Sequence, residues 1–292
     1  MNIKKVASLI APQAPHFVGD GFRVHNFIPH GNLIGMHRMD PFIMLDYNSA
    51  YEFAPSAVPK GVGVHPHRGF ETVTIAYKGK VAHHDSSGGG GVINEGDVQW
   101  MTAASGVLHK EYHEEGFSKT GGLFQMVQLW VNLPAKDKMS APKYQAITKE
   151  AIPQYTLENE AGSIAVIAGA YKSVKGAAST FTPIHIYNAK LHKGAAVDID
   201  LPESYHTALL VIEGSIVVNG EQAVSTDHFA LFENGGTTFT ITASEDALVL
   251  ILSGEPIAEP IVAHGPFVMN TQQEIMQAFN DFNQGKFGYL ED

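Results

Sequence analysis

Two short stretches of this 292-residue chain carry side chains able to hold a metal ion: His65-Pro66-His67, and His109-Lys110-Glu111. In each, the two donor residues stand two positions apart. On a β-strand, positions i and i+2 share a face, so each pair can converge on one point. A single His-x-His among 15 histidines is a weak signal. A second pair a few strands later sharpens it, because a barrel brings such strands side by side. Three imidazoles and one carboxylate make a mixed nitrogen and oxygen set suited to a first-row transition metal. The spacing therefore predicts one mononuclear metal site, His65, His67, His109 and Glu111, inside a small β-barrel.

Other titratable residues near these pairs read differently. His83 and His84 are adjacent, so on a strand they face opposite ways and cannot both join the site. They are expected to be structural, with one of them at most supporting a ligand. His113 is in phase with His109 and Glu111, and either lines the pocket mouth or lies on the surface. Arg68 and Glu71 are expected to form a buried ion pair that fixes the loop after His67. His16, His25, His30 and His37 are scattered and receive no role.

The elements that must position these residues are short strands. Phe22 to Ile28, Ile34 to His37 and Phe42 to Tyr47 are apolar runs punctuated by proline and glycine. Then come Glu71 to Tyr77, a Lys78-Gly79-Lys80 turn, and Val81 to Asp85. Gly88 to Gly91 reads as a loop, and a strand carrying His109 and Glu111 follows. Leu123 to Leu133 alternates and stops at Pro134. Residues 135–143 are polar and look like a linker, dividing a domain at 1–134 from one at 144–292.

The second half repeats the grammar of the first. Ile75 to Val81 compares with Val211 to Val217, and an offset of 135 matches Gly79 to Gly214. An offset of 130 then matches Asp97 to Asp227 and Gly106 to Gly236. Two related β-barrels follow from this weak repeat. At the same offsets His65 and His67 meet Asp200 and Pro202, while His109 and Glu111 meet Phe239 and Ile241. The second copy keeps the turns and lacks the ligands, so one site is expected, in the first barrel. The tail holds a helix: Thr271 to Glu274 is a capping box, Ile275, Ala278, Phe279 and Phe282 share one face, and Gly285 ends it.

Composition narrows the function classes. With 29 glycines, 15 prolines and few helical patterns, the chain is an all-β protein. Its formal charge of −11 repels phosphate backbones and argues against nucleic-acid binding. The absence of cysteine removes disulfides, thiolate sites and thiol catalysis. No apolar stretch approaches a membrane span and no cleavage signal follows the N-terminal apolar run, so a cytoplasmic protein is expected.

The motifs also resemble a known family. His65-Pro66-His67-Arg68-Gly69-Phe70-Glu71-Thr72, His84-Asp85-Ser86, Gly96 to Thr102 and His109-Lys110-Glu111 look like the signature blocks of the pirins. Gln128 to Pro134 and the tail from Gly265 to Gly288 continue the match, in order, over nearly the whole chain. The resemblance implies a bicupin, two double-stranded β-helix barrels with a short C-terminal helix. It also implies Fe(II) held by His65, His67, His109 and Glu111 in the N-terminal cupin only, with nickel, copper, zinc or manganese as recombinant substitutes.

Two functions are compatible with that resemblance. The favoured one is a dioxygenase of the quercetin 2,3-dioxygenase type, taking a flavonol and O2, with Glu111 as catalytic base. Phe53, Phe70 and Met101 are then candidate walls, each also readable as plain core. The alternative is an iron-binding regulatory protein that acts on a transcription factor or metabolic enzyme. A monomer is expected, since two barrels in one chain need no second copy.

Overall fold

The computed structural model describes residues 2–291 and contains two compact β units. One comprises Ala14–His37, Pro41–Lys149 and the stretch from Ile257 onward. The other comprises the stretch ending at Gln13, together with Arg38–Asp40 and Glu150–Pro256. This partition differs from the expected one. The stretch 135–143 is no linker: Lys138 is buried, and its ammonium donates to Gly69 O at 2.7 Å, Asn132 Oδ1 at 2.6 Å and Val268 O at 3.0 Å. The following strand, Lys143–Ile147, pairs with Val98–Thr102 in the first unit. The C-terminal helix also belongs to the first unit, and the N-terminal strand Val6–Ile10 to the second, where it pairs with Phe229–Phe232.

The barrel of the first unit is built from two antiparallel sheets, and a two-stranded hairpin, Val262–His264 with Phe267–Met269, lies outside them. A seven-stranded sheet runs Lys143–Ile147, Val98–Thr102, Phe70–Lys78, Gly122–Asn132, Phe42–Phe53, Phe22–Ile28, His16–Val18. A four-stranded sheet runs Gly61–His67, Val107–His113, Val81–Asp85, Gly90–Ile93. Burial follows the sequence pattern. In Val107–His113 the residues Val107, His109, Glu111 and His113 are buried while Leu108, Lys110 and Tyr112 are partly open, the period of two that places both donors on one face. Phe70–Lys78 is central and buried on both faces, which its run of aromatic and β-branched residues suits.

The second unit has the same plan, with sheets of seven and four strands. The repeat is visible in detail: Gly79 and Gly214 both turn between strands at positive φ, 77° and 76°. Val107–His113 pairs with Gly61–His67 in one barrel as Thr238–Ala243 pairs with Ala196–Asp200 in the other. Where the first barrel carries His109 and Glu111, the second packs Phe239 and Ile241 against Phe232, Val197 and Ile199. Apolar side chains fill that interior. The fold is therefore an all-β bicupin, as expected.

Local expectations fared unevenly. Phe22–Ile28 and Val81–Asp85 are strands with the expected bounds, and Phe42–Phe53 runs longer than expected. Ile34 to His37 is not a strand: His30 and Ile34 close a tight turn and a 3-10 turn follows at Met36–Met39. The helix Gln272–Asn283 has the capping box, with Thr271 Oγ1 accepting from Glu274 N and the Glu274 carboxylate accepting from Thr271 N. It buries Ile275 and Ala278 against Phe267, Met269 and Phe287. A short helix, Glu115–Thr120, was not anticipated.

Candidate metal centre

The two histidine-bearing strands are antiparallel neighbours in which His109 and His65 are register partners. A bulge between His109 and Glu111 then sets Glu111 opposite Val62. The extra residue lies on the Gly61–His67 strand, so the alternation of Val107–His113 is unbroken and Glu111 keeps the face of His109. Ring centroids lie 4.2 Å apart for His65 and His109, 4.6 Å for His67 and His109, and 4.8 Å for His65 and His67. Donor atoms of His65, His67 and His109 lie within 4.8 Å of one another, and so do those of His83, His109 and Glu111. The two groups share His109. His65 and His67 thus lie in one group and Glu111 in the other, beside the unexpected His83, and no group among the described residues holds all four expected donors.

Hydrogen bonding decides which nitrogen of each ring is free. His65 Nδ1 donates to Gly63 O at 2.9 Å, and His67 Nδ1 faces Pro266 O at 3.4 Å. His109 Nδ1 faces His83 Nδ1 at 3.4 Å, and His83 Nε2 faces Asp85 Oδ2 at 3.4 Å. A proton on His83 Nε2 directed at Asp85 leaves His83 Nδ1 to accept from His109. His109 Nε2 is then buried with no hydrogen-bond partner. An orphaned buried nitrogen is costly unless something binds it, and a lone pair among two other imidazoles suits a cation. The donors therefore fit a metal.

The electrostatics agree. Burial, then the neighbouring imidazoles, hold the pKa of His67 and of His109 well below the ordinary histidine value. Both rings are neutral at physiological pH, the form that ligates. Burial pushes the Asp85 carboxyl up, but donors from His83, Ser87 and Gly89 outweigh it and bring it down to about 2. Asp85 is thus a fixed anion at the end of a chain of two imidazoles. Glu111 is held at both oxygens: Thr74 Oγ1 donates to Oε1 at 3.2 Å, and Gln128 Nε2 to Oε2 at 2.7 Å.

A cavity of about 360 Å³ opens onto His65, His67 and Glu111. Its walls are mostly apolar: Val18, Phe22, Val24, Met44, Val62, Met126 and Trp130. This volume lies in the ordinary range for a small organic ligand. The expected walls are elsewhere. Phe53 belongs to a cluster with Phe22 and Phe124, and Met101 to one with Ala103 and Val107. Phe70 stacks on Trp130 at 4.1 Å and so supports a wall from behind. A larger hollow of about 700 Å³ opens on the second unit, beside Tyr155, Lys172, His192 and Asp198. No cluster of metal-competent donors faces it among the described residues.

Several expectations need correction. Arg68 does not pair with Glu71: its Nη1 donates to Asp281 Oδ2 at 2.9 Å, while Glu71 Oε1 accepts from Thr102 Oγ1 at 2.7 Å. The alternation puts Glu71 on the sheet face opposite Thr72 and Thr74, out of Arg68's reach. His113 is neither at the mouth nor exposed, since its Nε2 donates to Gly21 O at 2.8 Å amid Phe53, Phe117 and Phe124. His83 and His84 do face opposite ways, one buried and one exposed against Tyr112. The sequence reading missed Thr74 and Gln128. The register that aligns Gln128 with Thr74 on the face that Glu111 meets comes from the structure, and no local signal announces it.

Residues 21–131 match the family model described as pirin, and residues 186–288 that described as the pirin C-terminal cupin domain. Among solved structures, a quercetin 2,3-dioxygenase from Acinetobacter baumannii is 49% identical, with a TM-score of 0.93, covering 99% of this chain and 100% of its own. A Pseudomonas aeruginosa protein provisionally named for the same activity is 46% identical over 285 residues, 98% of this chain and 99% of its own. Pirin-1 of Arabidopsis thaliana is 37% identical over 292 residues, 98% of this chain and 94% of its own.

Proposed function

This chain belongs to the pirin family, and from that membership we propose that it is a metal-dependent dioxygenase that cleaves flavonols of the quercetin type. The observation that carries the reading is the orphaned His109 Nε2 beside His65 and His67, two imidazoles that line a 360 Å³ cavity with mostly apolar walls. His65, His67, His109 and Glu111 would hold the metal, with Fe(II) favoured by three nitrogen donors and one carboxylate. Nickel, copper, zinc or manganese would enter the same donors where iron is scarce.

When bound, the metal supplies Lewis acidity toward an enolic hydroxyl and a centre for dioxygen chemistry. The remaining work falls to side chains. Val24, Val62, Met126 and Trp130 exclude water and hold a flat ring by apolar contact. Glu111, steadied by Thr74 and Gln128, takes the proton of the substrate's 3-hydroxyl. Both atoms of O2 enter the product and one ring carbon leaves as carbon monoxide.

The test is anaerobic reconstitution with Fe(II), then quercetin and air. Loss of the flavonol absorbance with release of carbon monoxide, abolished in His109→Ala, is the expected result. A fully loaded protein that leaves quercetin intact sinks this reading and favours a regulatory, partner-binding role.

A further inference from the structure

The wall of the cavity on the seven-stranded sheet is not uniformly apolar. Met44, Asp46 and Asn48 alternate along Phe42–Phe53 and all three line the cavity, as the i, i+2 rule requires. The two polar members are in different states. Asp46 is already engaged, since Asn26 Nδ2 donates to its Oδ1. Asn48 is only 2% exposed, and neither its Oδ1 nor its Nδ2 has a hydrogen-bond partner. Its register partner is Met126, and Phe22 and Val24 line the same wall. A carboxamide buried among such neighbours costs stability unless it is satisfied, whereas leucine would pack there without that cost. The metal donors lie on the other sheet, so this amide meets a different part of any bound ligand from the part that meets them.

We infer that Asn48 is a specificity-determining residue of the cavity, whose amide receives a phenolic hydroxyl of the substrate. A hydroxyl both donates and accepts, and the amide offers one acceptor and one donor to match. Asp46, two residues along the same face, offers a second acceptor to an adjacent hydroxyl. The inference rests on the flavonol reading for the identity of the substrate. It narrows that class to flavonols bearing hydroxyls beyond the one that reacts. A site that hydrogen-bonds a substrate hydroxyl discriminates strongly against the analogue lacking it, because the protein group is then left unpaired.

The test uses full-length metal-free protein, so that hydroxyls cannot gain affinity by ligating a metal. Quercetin is compared with 3-hydroxyflavone, which keeps the reacting hydroxyl and lacks the others, by quenching of tryptophan fluorescence. The expected preference for quercetin in the wild type is about ten-fold or more. In Asn48→Leu it should collapse to near unity, with 3-hydroxyflavone bound at least as tightly as before. A folded Asn48→Leu that retains the preference overturns the inference, as does a wild type with none. Should leucine disrupt folding, Asn48→Ala gives the same ratio. If neither flavonol binds the metal-free wild type, the flavonol reading stands or falls on the Fe(II)-loaded assay alone. Phenol against toluene, with the same variants, then decides the role of Asn48.

Discussion

Arg68 Nη1 donates to Asp281 Oδ2 at 2.9 Å, joining residues 213 positions apart. The guanidinium also donates to Ser105 O at 2.7 Å and lies over the Phe287 ring at 4.6 Å. Arg68 follows His67 directly, so the C-terminal helix braces the loop that ends the first donor strand. Lys286, Arg68 and Gln277 together hold the Asp281 carboxyl well below the usual carboxylate range.

The first prediction concerns that brace. Asp281→Asn should cost about 2 kcal/mol of stability, the worth of a hydrogen bond to a charged group. A depressed native pKa contributes stability above the unfolded value of roughly 4, and that contribution is lost as pH falls through the native value. The wild type should therefore lose stability more steeply than Asp281→Asn below about pH 4. Urea unfolding across pH measures both; parallel curves would remove Asp281 from the account.

Glu71 should behave in the opposite sense. Burial pushes its carboxyl up to about 7, against the Thr102 hydrogen bond. A native pKa above the unfolded one means that stability falls as pH rises from about 4.5 to about 7. The loss is on the order of 3 kcal/mol. Glu71→Gln keeps an acceptor for Thr102 without the charge and should flatten the unfolding free energy over that window. A slope unchanged by the substitution would refute the assignment.

The ligand set can be separated from its support. His65→Ala, His67→Ala and His109→Ala should each strip the metal, as read by elemental analysis of the purified protein. His83→Phe should retain it at full load but bind it about 10–100-fold more weakly, as expected for a residue that orients a ligand. Complete loss in His83→Phe with retention in His65→Ala would move the centre to the His83, His109 and Glu111 side.

Gln128 tests the steadying of Glu111. Gln128→Leu removes the 2.7 Å donor to Oε2 while keeping side-chain bulk in the cavity wall. Chelator competition should show metal affinity lowered about ten-fold or more, with the fold intact by circular dichroism. Unaltered affinity would mean that the carboxylate is positioned by Thr74 alone, or is no ligand.

Local periodicity made the proposed donors legible. His65 with His67, and His109 with Glu111, each obey the two-residue rule, and the ligand-free repeat directs the proposal to one barrel. The same rule separated His83 from His84 without saying which turned inward, since that depends on the partner strand. Pairings between distant segments were not legible. Nothing near Arg68 announces Asp281, and the charged Glu71 close by was the natural guess. A polar stretch with Lys138 looks like linker because lysine seldom lies buried; the oxygens of Gly69, Asn132 and Val268 make its position tolerable. Asn48 gave no signal either, as an asparagine in a strand becomes informative only once its missing partners are seen.

The crossed ownership of the two ends has a consequence for synthesis. Both sheets of the donor-bearing barrel are complete by Lys149, yet Phe70 and Ile43 pack on Val268, and His67 Nδ1 finds Pro266 only in the stretch after Ile257. Translation at ordinary rates delivers that stretch on the order of ten seconds later, after the whole second barrel. The strand Val6–Ile10, made first, likewise waits for Phe229–Phe232. The donor-bearing barrel cannot finish until the tail has left the ribosome, and a chain cut short of it lacks Pro266 against His67 and Val268 against Phe70.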